Sequence, residues 1–200
     1  MPGMTEPQAL RRLLLPWWPP LLLGTLWGTL QALGGPALWG YERQAIGDGQ
    51  VWRLLTGQLV HLNAVHLALN LLGLAGVMAV WGRALAQPCA LLVTYLGSAC
   101  AVGLGLWWLE PKLAWYAGAS GALHGLFMAG IVLATETGRM LRAAAALGLL
   151  LKLVLEARLN TGTAGLIGAP VIHAAHQFGA FGGVVSALLW LFALSVRRAH

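Results

Sequence analysis

The sequence predicts an all-α integral membrane protein, built as a bundle of six transmembrane helices. Of its 200 residues, 58% are hydrophobic and only 9% are charged, and the mean hydropathy of +0.74 lies far above the range of soluble proteins. A helix that spans a bilayer needs ~20 mostly apolar residues. Six segments approach or exceed this length: 17–38, 62–81, 88–108, 120–134, 140–159 and 170–196.

Short loops join these segments, and none of the loops is long enough to hold a separate soluble domain. The first segment follows Arg11 and Arg12, as the apolar part of a signal peptide would, but the five later segments favour a first transmembrane helix. We therefore expect a short cytoplasmic N-terminal segment over residues 1–16, one membrane domain over 17–196 and a cytoplasmic C-terminal tail over 197–200.

The basic residues predict the orientation, because cytoplasmic loops carry an excess of Lys and Arg. With the N-terminus inside, seven arginines fall on the cytoplasmic side: Arg11, Arg12, Arg83, Arg139, Arg142, Arg197 and Arg198. Four basic residues fall outside: Arg43, Arg53, Lys112 and Arg158. Topology thus accounts for the net charge of +6, and basic residues scattered over several loops argue against a nucleic-acid partner.

Seven polar residues cluster at the starts of the second, fourth and sixth segments. They are His61, His66, Asn70, Ser120, His124, His173 and His176. These three segments run in the same direction, so under the predicted topology all seven residues fall in the outer half of the membrane. Polar groups at that depth are costly, which makes them functional candidates.

Ser120 opens the fourth segment within Gly118-Ala119-Ser120-Gly121, where small neighbours let a substrate carbonyl approach the hydroxyl. Such a serine is a candidate nucleophile, and the alternative role is a helix cap. The sixth segment supplies His176 as the candidate base that would activate it.

Small residues beside both candidates predict that their helices pack closely. Gly121 and Gly125 follow the serine, and Gly179 and Gly183 follow the histidine. Pairs of small residues four apart let two membrane helices approach each other. Close approach would bring the hydroxyl within ~2.6–3.2 Å of the imidazole.

The second segment supplies two hydrogen-bond donors on one face, His66 and Asn70. Both suit an oxyanion, although they could instead pin helices together. His124 lies one turn after Ser120, and three roles stay open for it: a local base, a ligand for water, or a ring stacked on His176.

No acidic residue is evident as a third catalytic member. Glu156 lies on the fifth segment, but Lys152 one turn before it is the expected partner, so we predict a Ser–His dyad beside a neutralising ion pair. The sequence lacks His-Glu-x-x-His and contains a single aspartate, Asp48, which argues against zinc and two-aspartate proteases. We expect no cofactor and no resident metal.

These residues resemble the rhomboid family of intramembrane serine proteases. The resemblance rests on His66-x-x-x-Asn70, Gly118-x-Ser120-Gly121, Ala175-His176-x-x-Gly179-x-x-x-Gly183, Trp52-Arg53 and the position of His61. It implies that Ser120 is the nucleophile and His176 the general base, and that His66, Asn70 and the Ser120 amide hold the oxyanion. It also implies a bacterial inner membrane, an active site that faces the outside, and a membrane-anchored protein substrate.

A narrower resemblance is to the rhombosortase branch of that family. It rests on Ser120-Gly121-x-Leu123-His124-Gly125, Trp52-Arg53-Leu54 and Lys152-x-x-x-Glu156. Many rhomboids carry a tyrosine where this chain has His124. The branch implies substrates whose C-terminal sorting signal combines a Gly-Gly site, one transmembrane segment and a basic tail.

Three other functions stay open at this point. A transporter would need a polar path to both membrane faces, and a metal- or haem-binding protein would use the histidine cluster and could dispense with Ser120. A catalytically inactive rhomboid-like binder is disfavoured by the intact Ser120 and His176.

Overall fold

The computed structural model describes residues 17–159 and 163–199, and the predicted N-terminal segment with Arg11 and Arg12 lies outside the described residues, as does His200. Six helices coincide with the six apolar segments. They are α1 (Trp18–Ala32), α5 (Ala64–Leu85), α6 (Pro88–Leu109), α7 (Ser120–Leu133), α8 (Arg139–Leu159) and α10 (His173–Ala199). Four short helices lie in the connections: α2 (Gly35–Trp39), α3 (Arg43–Gly47), α4 (Arg53–Thr56) and α9 (Ala164–Ile167).

Local sequence signals set several of these boundaries. A proline occupies the first or second position of α1, α2 and α6, where the missing N–H would have no partner inside the helix. Asn63 caps α5, since its side-chain oxygen accepts the backbone N–H of His66 at 2.9 Å. Gly168 ends α9 with a φ of 72°, a left-handed conformation that glycine adopts without strain.

Three helices in the described part of the chain are long and apolar enough to cross a membrane: Ala64–Leu85, Cys89–Leu109 and His173–Arg198. Helix α7 is apolar but has 14 residues, and α1 has 15. Helix α8 interrupts its apolar run with Lys152 and Glu156. An all-helical protein with several apolar helices is therefore confirmed, while the number of six spans stays a prediction.

Helix α7 lies at the centre, against α5, α6 and α10. Its contact with α10 depends on glycine. A Cβ on Gly121 would lie 2.7 Å from the Ala175 carbonyl oxygen, and Cβ atoms on Gly179 and Gly183 would collide with the carbonyls of Gly121 and Gly125. The backbones of α7 and α10 can approach this closely because neither carries side chains at the crossing.

Helix α8 packs more loosely than its neighbours. Leu153 is its one buried residue, whereas the core of Trp27, Trp81, Tyr95 and Leu126 is formed by the other long helices. This difference matters for the site, because α8 contributes Lys152 and Glu156 to it through contacts with His124 and His176.

A small antiparallel strand pair was not predicted: β1 (Tyr41–Glu42) pairs with β2 (Trp115–Tyr116). Each strand has two residues, too few to show an alternating pattern in the sequence. Arg43 anchors the same region, because its guanidinium donates to the carbonyls of Leu106 and Leu113 at 2.7 and 2.9 Å. The strand pair holds in place the loop that leads into α7.

Candidate active site

The loop before α7 presents Ser120 as the first residue of that helix. Gly118 has a φ of 142°, a conformation that L-residues rarely adopt, and a Cβ there would lie 2.7 Å from Cε1 of His66. Glycine is thus required at this position for two independent reasons. The helix start also leaves backbone N–H groups without partners inside the helix, next to the hydroxyl.

Two hydrogen bonds hold this loop in place. The N–H of Gly118 donates to the Gly57 carbonyl at 2.9 Å, and the phenol of Tyr116 donates to the Gly118 carbonyl at 2.8 Å. Burial raises the pKa of Tyr116 to about 12, so the phenol stays protonated and remains a donor at neutral pH. Neither Gly57 nor Tyr116 was identified as a site residue from the sequence.

Ser120 and His176 lie within hydrogen-bond distance, since the serine Oγ is 3.0 Å from the histidine Nε2. His176 stands in the first turn of α10, and only 5% of its surface is exposed. The glycine crossing of α7 and α10 brings the two side chains together, as the small-residue pattern predicts.

Glu156 also reaches His176, which corrects the expectation that its partner would be Lys152 alone. One carboxylate oxygen lies 3.1 Å from His176 Nδ1, and the other accepts from Lys152 Nζ at 2.7 Å. The side chain of Glu156 is 13% exposed, against 46% for Lys152. The expected ion pair is present, but its carboxylate extends the Ser–His pair into a row of three groups.

His124 bridges the two sides of the site. Its Nδ1 lies 2.7 Å from the Ser120 carbonyl oxygen, its Nε2 lies 2.8 Å from Lys152 Nζ, and its ring stacks on His176 at 4.2 Å. Of the three roles open to His124, the stack is the one this geometry provides. Both ring nitrogens have partners other than the Ser120 hydroxyl, so His124 is not positioned as its base.

His66 and Asn70 face the same cavity as the serine. The backbone N–H of Leu62 points to His66 Nδ1 at 3.4 Å, which leaves Nε2 to carry the proton and to donate. The Asn70 amide donates one hydrogen to the His66 carbonyl at 2.8 Å, and its second hydrogen remains available. These are the donors that an oxyanion near Ser120 would need.

The remaining predicted polar residues lie around this centre. The ring of His61 is fully buried against Trp27 and His66, and burial, with a further contribution from His66, lowers the pKa of His61 to about 3, so the ring is neutral. His173 sits edge-on to His176 with ring centroids 6.2 Å apart. Arg53 is buried and donates to the Gly40 carbonyl at 2.8 Å, a structural contact.

A cavity of about 730 Å³ opens beside Ser120 and continues between α5, α7, α8 and α9. Its polar groups gather at the serine end. Elsewhere its walls are mostly apolar, with side chains such as Leu69, Val77, Phe127, Leu149 and Ile167. A pocket of this size and character suits an extended apolar segment whose reactive bond lies at the polar end.

One cluster in the described part of the chain has the composition of a metal site. Each of His124, Glu156 and His176 offers one ligand atom, and the three atoms lie within 4.8 Å of one another. The Lys152 ammonium, however, already bonds to His124 and Glu156, so a metal ion would have to displace a positive charge from this position.

Comparisons with known proteins show the family of the chain. The family model described as "Rhomboid domain" matches residues 48–192, which include every residue of the site. The chain is also similar to "Putative rhomboid protease YdcA" of Bacillus subtilis (strain 168), with 35% identity over 82 residues. That match covers 41% of this chain and 41% of the relative. Since the family model covers well over half of its length, the chain belongs to the rhomboid family.

Proposed function

We propose that the protein is a serine protease that cleaves membrane-anchored proteins within the bilayer. The distance of 3.0 Å between Ser120 Oγ and His176 Nε2 carries this proposal, because it makes an activated nucleophile. The apolar cavity beside the pair gives a membrane segment a place to bind. The rhomboid family, to which the chain belongs, supports an intramembrane protease.

During acylation the serine proton is transferred twice, first to His176 and then to the departing amine. Ser120 Oγ attacks the substrate carbonyl carbon while His176 Nε2 takes the hydroxyl proton, which forms a tetrahedral intermediate and an imidazolium. The C–N bond then breaks, and the imidazolium gives its proton to the departing amine. The product is an ester between Ser120 and the new C-terminus of the substrate.

The intermediate needs hydrogen-bond donors for its oxyanion. His66, Asn70 and Ser120 all line the cavity, and in this proposal His66 Nε2, the free hydrogen of Asn70 and the backbone N–H of Ser120 supply them. In a serine protease, removing one such oxyanion donor costs about 2.7–4 kcal/mol of transition-state stabilisation.

The ester is resolved by a nucleophile that enters the cavity. His176 takes a proton from a water molecule as the water oxygen attacks the ester carbonyl carbon. The C–O bond to Ser120 then breaks, the substrate leaves as a carboxylic acid, and the imidazolium returns its proton to the serine oxygen. An amine acceptor would follow the same course and form a new amide, as in sorting reactions. Comparing the two products by mass spectrometry distinguishes hydrolysis from transfer.

The narrower assignment is rhombosortase-like processing of proteins with a C-terminal Gly-Gly signal. Its support is the Ser120–Gly125 motif together with the stack of His124 on His176, which occupies the position of the tyrosine in many rhomboids. In this proposal the enzyme lies in the bacterial inner membrane, has both termini in the cytoplasm and faces the outside with its site.

A transporter is less well supported. The polar residues that line the cavity gather at one end, and the walls towards Ala145 and Gly148 are apolar. A metal-binding role is also less well supported, because the Lys152 ammonium already contacts His124 in the histidine cluster.

Labelling by a fluorophosphonate probe tests the proposal. The wild-type protein in detergent should be labelled, and Ser120→Ala and His176→Ala should each abolish labelling. Ser195→Ala is the matched control, because Ser195 is exposed on α10 and bonds to the Phe192 carbonyl. Equal labelling of all four proteins, or no labelling of the wild type, would contradict an activated serine.

A further inference from the structure

We propose that Glu156 is a positioning residue for His176, so that a Ser–His–Glu triad supported by Lys152 replaces the predicted dyad. The inference rests on the proposed function. The observation behind it is the continuous row from Lys152 Nζ through the Glu156 carboxylate and the His176 ring to Ser120 Oγ, with successive distances of 2.7, 3.1 and 3.0 Å.

The directions of these hydrogen bonds determine the tautomer of His176. An ionised carboxylate accepts only, so Nδ1 must carry the proton that points at Glu156. Nε2 then has a lone pair, and that lone pair faces the Ser120 hydroxyl. This is the tautomer a general base needs, and the opposite tautomer would direct an N–H at the serine.

His124 and Lys152 fit the same arrangement. The Ser120 carbonyl only accepts, so His124 Nδ1 donates to it and His124 Nε2 accepts from the Lys152 ammonium. Lys152 thereby donates to Glu156 and His124 at once. The side chains of Lys152, Glu156, His124 and His176 therefore have one consistent assignment of hydrogen-bond donors and acceptors.

Charge supports a role beyond a surface ion pair. An exposed pair one helical turn apart contributes little to stability and needs no third partner. Here the Glu156 carboxylate is largely buried, and an isolated charge at such a site is costly. The Lys152 ammonium balances it in the resting state, and during acylation the carboxylate also stabilises the imidazolium that forms on His176.

The acid reaches the site from a separate helix. Ser120 stands on α7 and His176 on α10, whereas Glu156 and Lys152 stand on α8, which buries only Leu153. The pair therefore connects a loosely packed helix to the reacting groups, and its loss should affect the reaction more than the fold.

The test is Glu156→Gln, an isosteric change, assayed with a single-span substrate carrying a Gly-Gly signal. A glutamine can donate to Nδ1 and so stabilise the wrong tautomer, an error that lowers kcat about 10⁴-fold in a serine protease triad. We expect kcat to fall at least about 100-fold with KM within about threefold of wild type. The rate of fluorophosphonate labelling should fall by a similar factor. A residue with a purely structural role would not lower kcat this much while KM stays nearly unchanged.

Glu136→Gln is the matched control, since Glu136 is exposed in the turn after α7, and it should retain wild-type kcat. If Glu156→Gln alone does not fold, the double variant Glu156→Gln/Lys152→Gln removes both charges together and should show the same loss of kcat. Thermal unfolding in detergent checks the fold of each variant.

A kcat within threefold of wild type in a folded Glu156 variant would overturn the triad and leave the Ser–His dyad. Failure of the proposed function looks different, because the wild type would then show no cleavage or Ser120→Ala would retain it. The two failures are therefore distinguishable in one set of proteins.

Discussion

The two sides of the candidate site are held in place by different forces. On one side, α7 and α10 approach until glycine backbones touch, and this packing brings Ser120 to His176. On the other side, α8 buries a single residue and reaches the site through Glu156 and Lys152. Backbone packing is rigid and visible in sequence as spaced glycines, whereas the polar contact depends on how α8 is rotated. The two sides should therefore respond differently to substitution.

The largest effect is expected at the packed side. Gly179→Ala would drive a methyl group into the Gly121 carbonyl, which must separate α7 from α10. A displacement of about 1 Å costs roughly 100-fold in rate, so cleavage should fall at least that much. Gly76→Ala is the control, because no heavy atom lies within 4 Å of its Cβ position. Equal activity of the two variants would show that the glycine crossing does not position the catalytic pair.

Gly118→Ala tests the loop that presents the serine. An L-residue at a φ of 142° costs about 1–3 kcal/mol, and the added Cβ would also press on His66. We expect cleavage to fall about 10- to 100-fold while the protein remains folded. Labelling rates and thermal unfolding measured together check this, and unaltered labelling would mean that the loop does not require glycine at position 118.

His124→Phe separates stacking from hydrogen bonding where the two sides meet. Phenylalanine keeps a ring against His176 but loses the bonds to the Ser120 carbonyl and Lys152. At about 1 kcal/mol for each of the two lost hydrogen bonds, kcat should fall by up to about 30-fold. A loss as complete as that of His176→Ala would contradict this merely supporting role of His124.

The smallest effect is expected from Tyr116→Phe. The change removes the phenol that donates to the Gly118 carbonyl and leaves that buried acceptor without the bond. The free energy of unfolding should fall by about 1 kcal/mol, with cleavage reduced only slightly. Denaturation in mixed micelles measures the first quantity, and an unchanged stability would contradict a structural role for this bond.

The packed side of the site could be predicted from the sequence. Apolar runs located the helices, and spaced glycines beside Ser120 and His176 indicated which helices meet. The motifs also indicated the rhomboid family, which the match over residues 48–192 confirms. The branch, the substrate and the orientation in the membrane stay predictions.

The polar side could not be predicted, for a physical reason. Lys152 lies one turn before Glu156 and is a sufficient partner for it on the same helix. Nothing in the sequence therefore indicated that Glu156 also contacts a third group. Only the rotation of α8 about its axis, set by tertiary packing, directs the second carboxylate oxygen to His176. The strand pair between Tyr41 and Tyr116 was missed because two residues carry no periodic signal.

Mapping the site of covalent labelling tests the central claim most directly. The wild-type protein is reacted with a fluorophosphonate, digested, and analysed by tandem mass spectrometry. We predict one adduct per chain, located on Ser120 and absent from His176→Ala. An adduct on another serine, or a Ser120 adduct that forms equally well without His176, would contradict the account of an activated intramembrane serine.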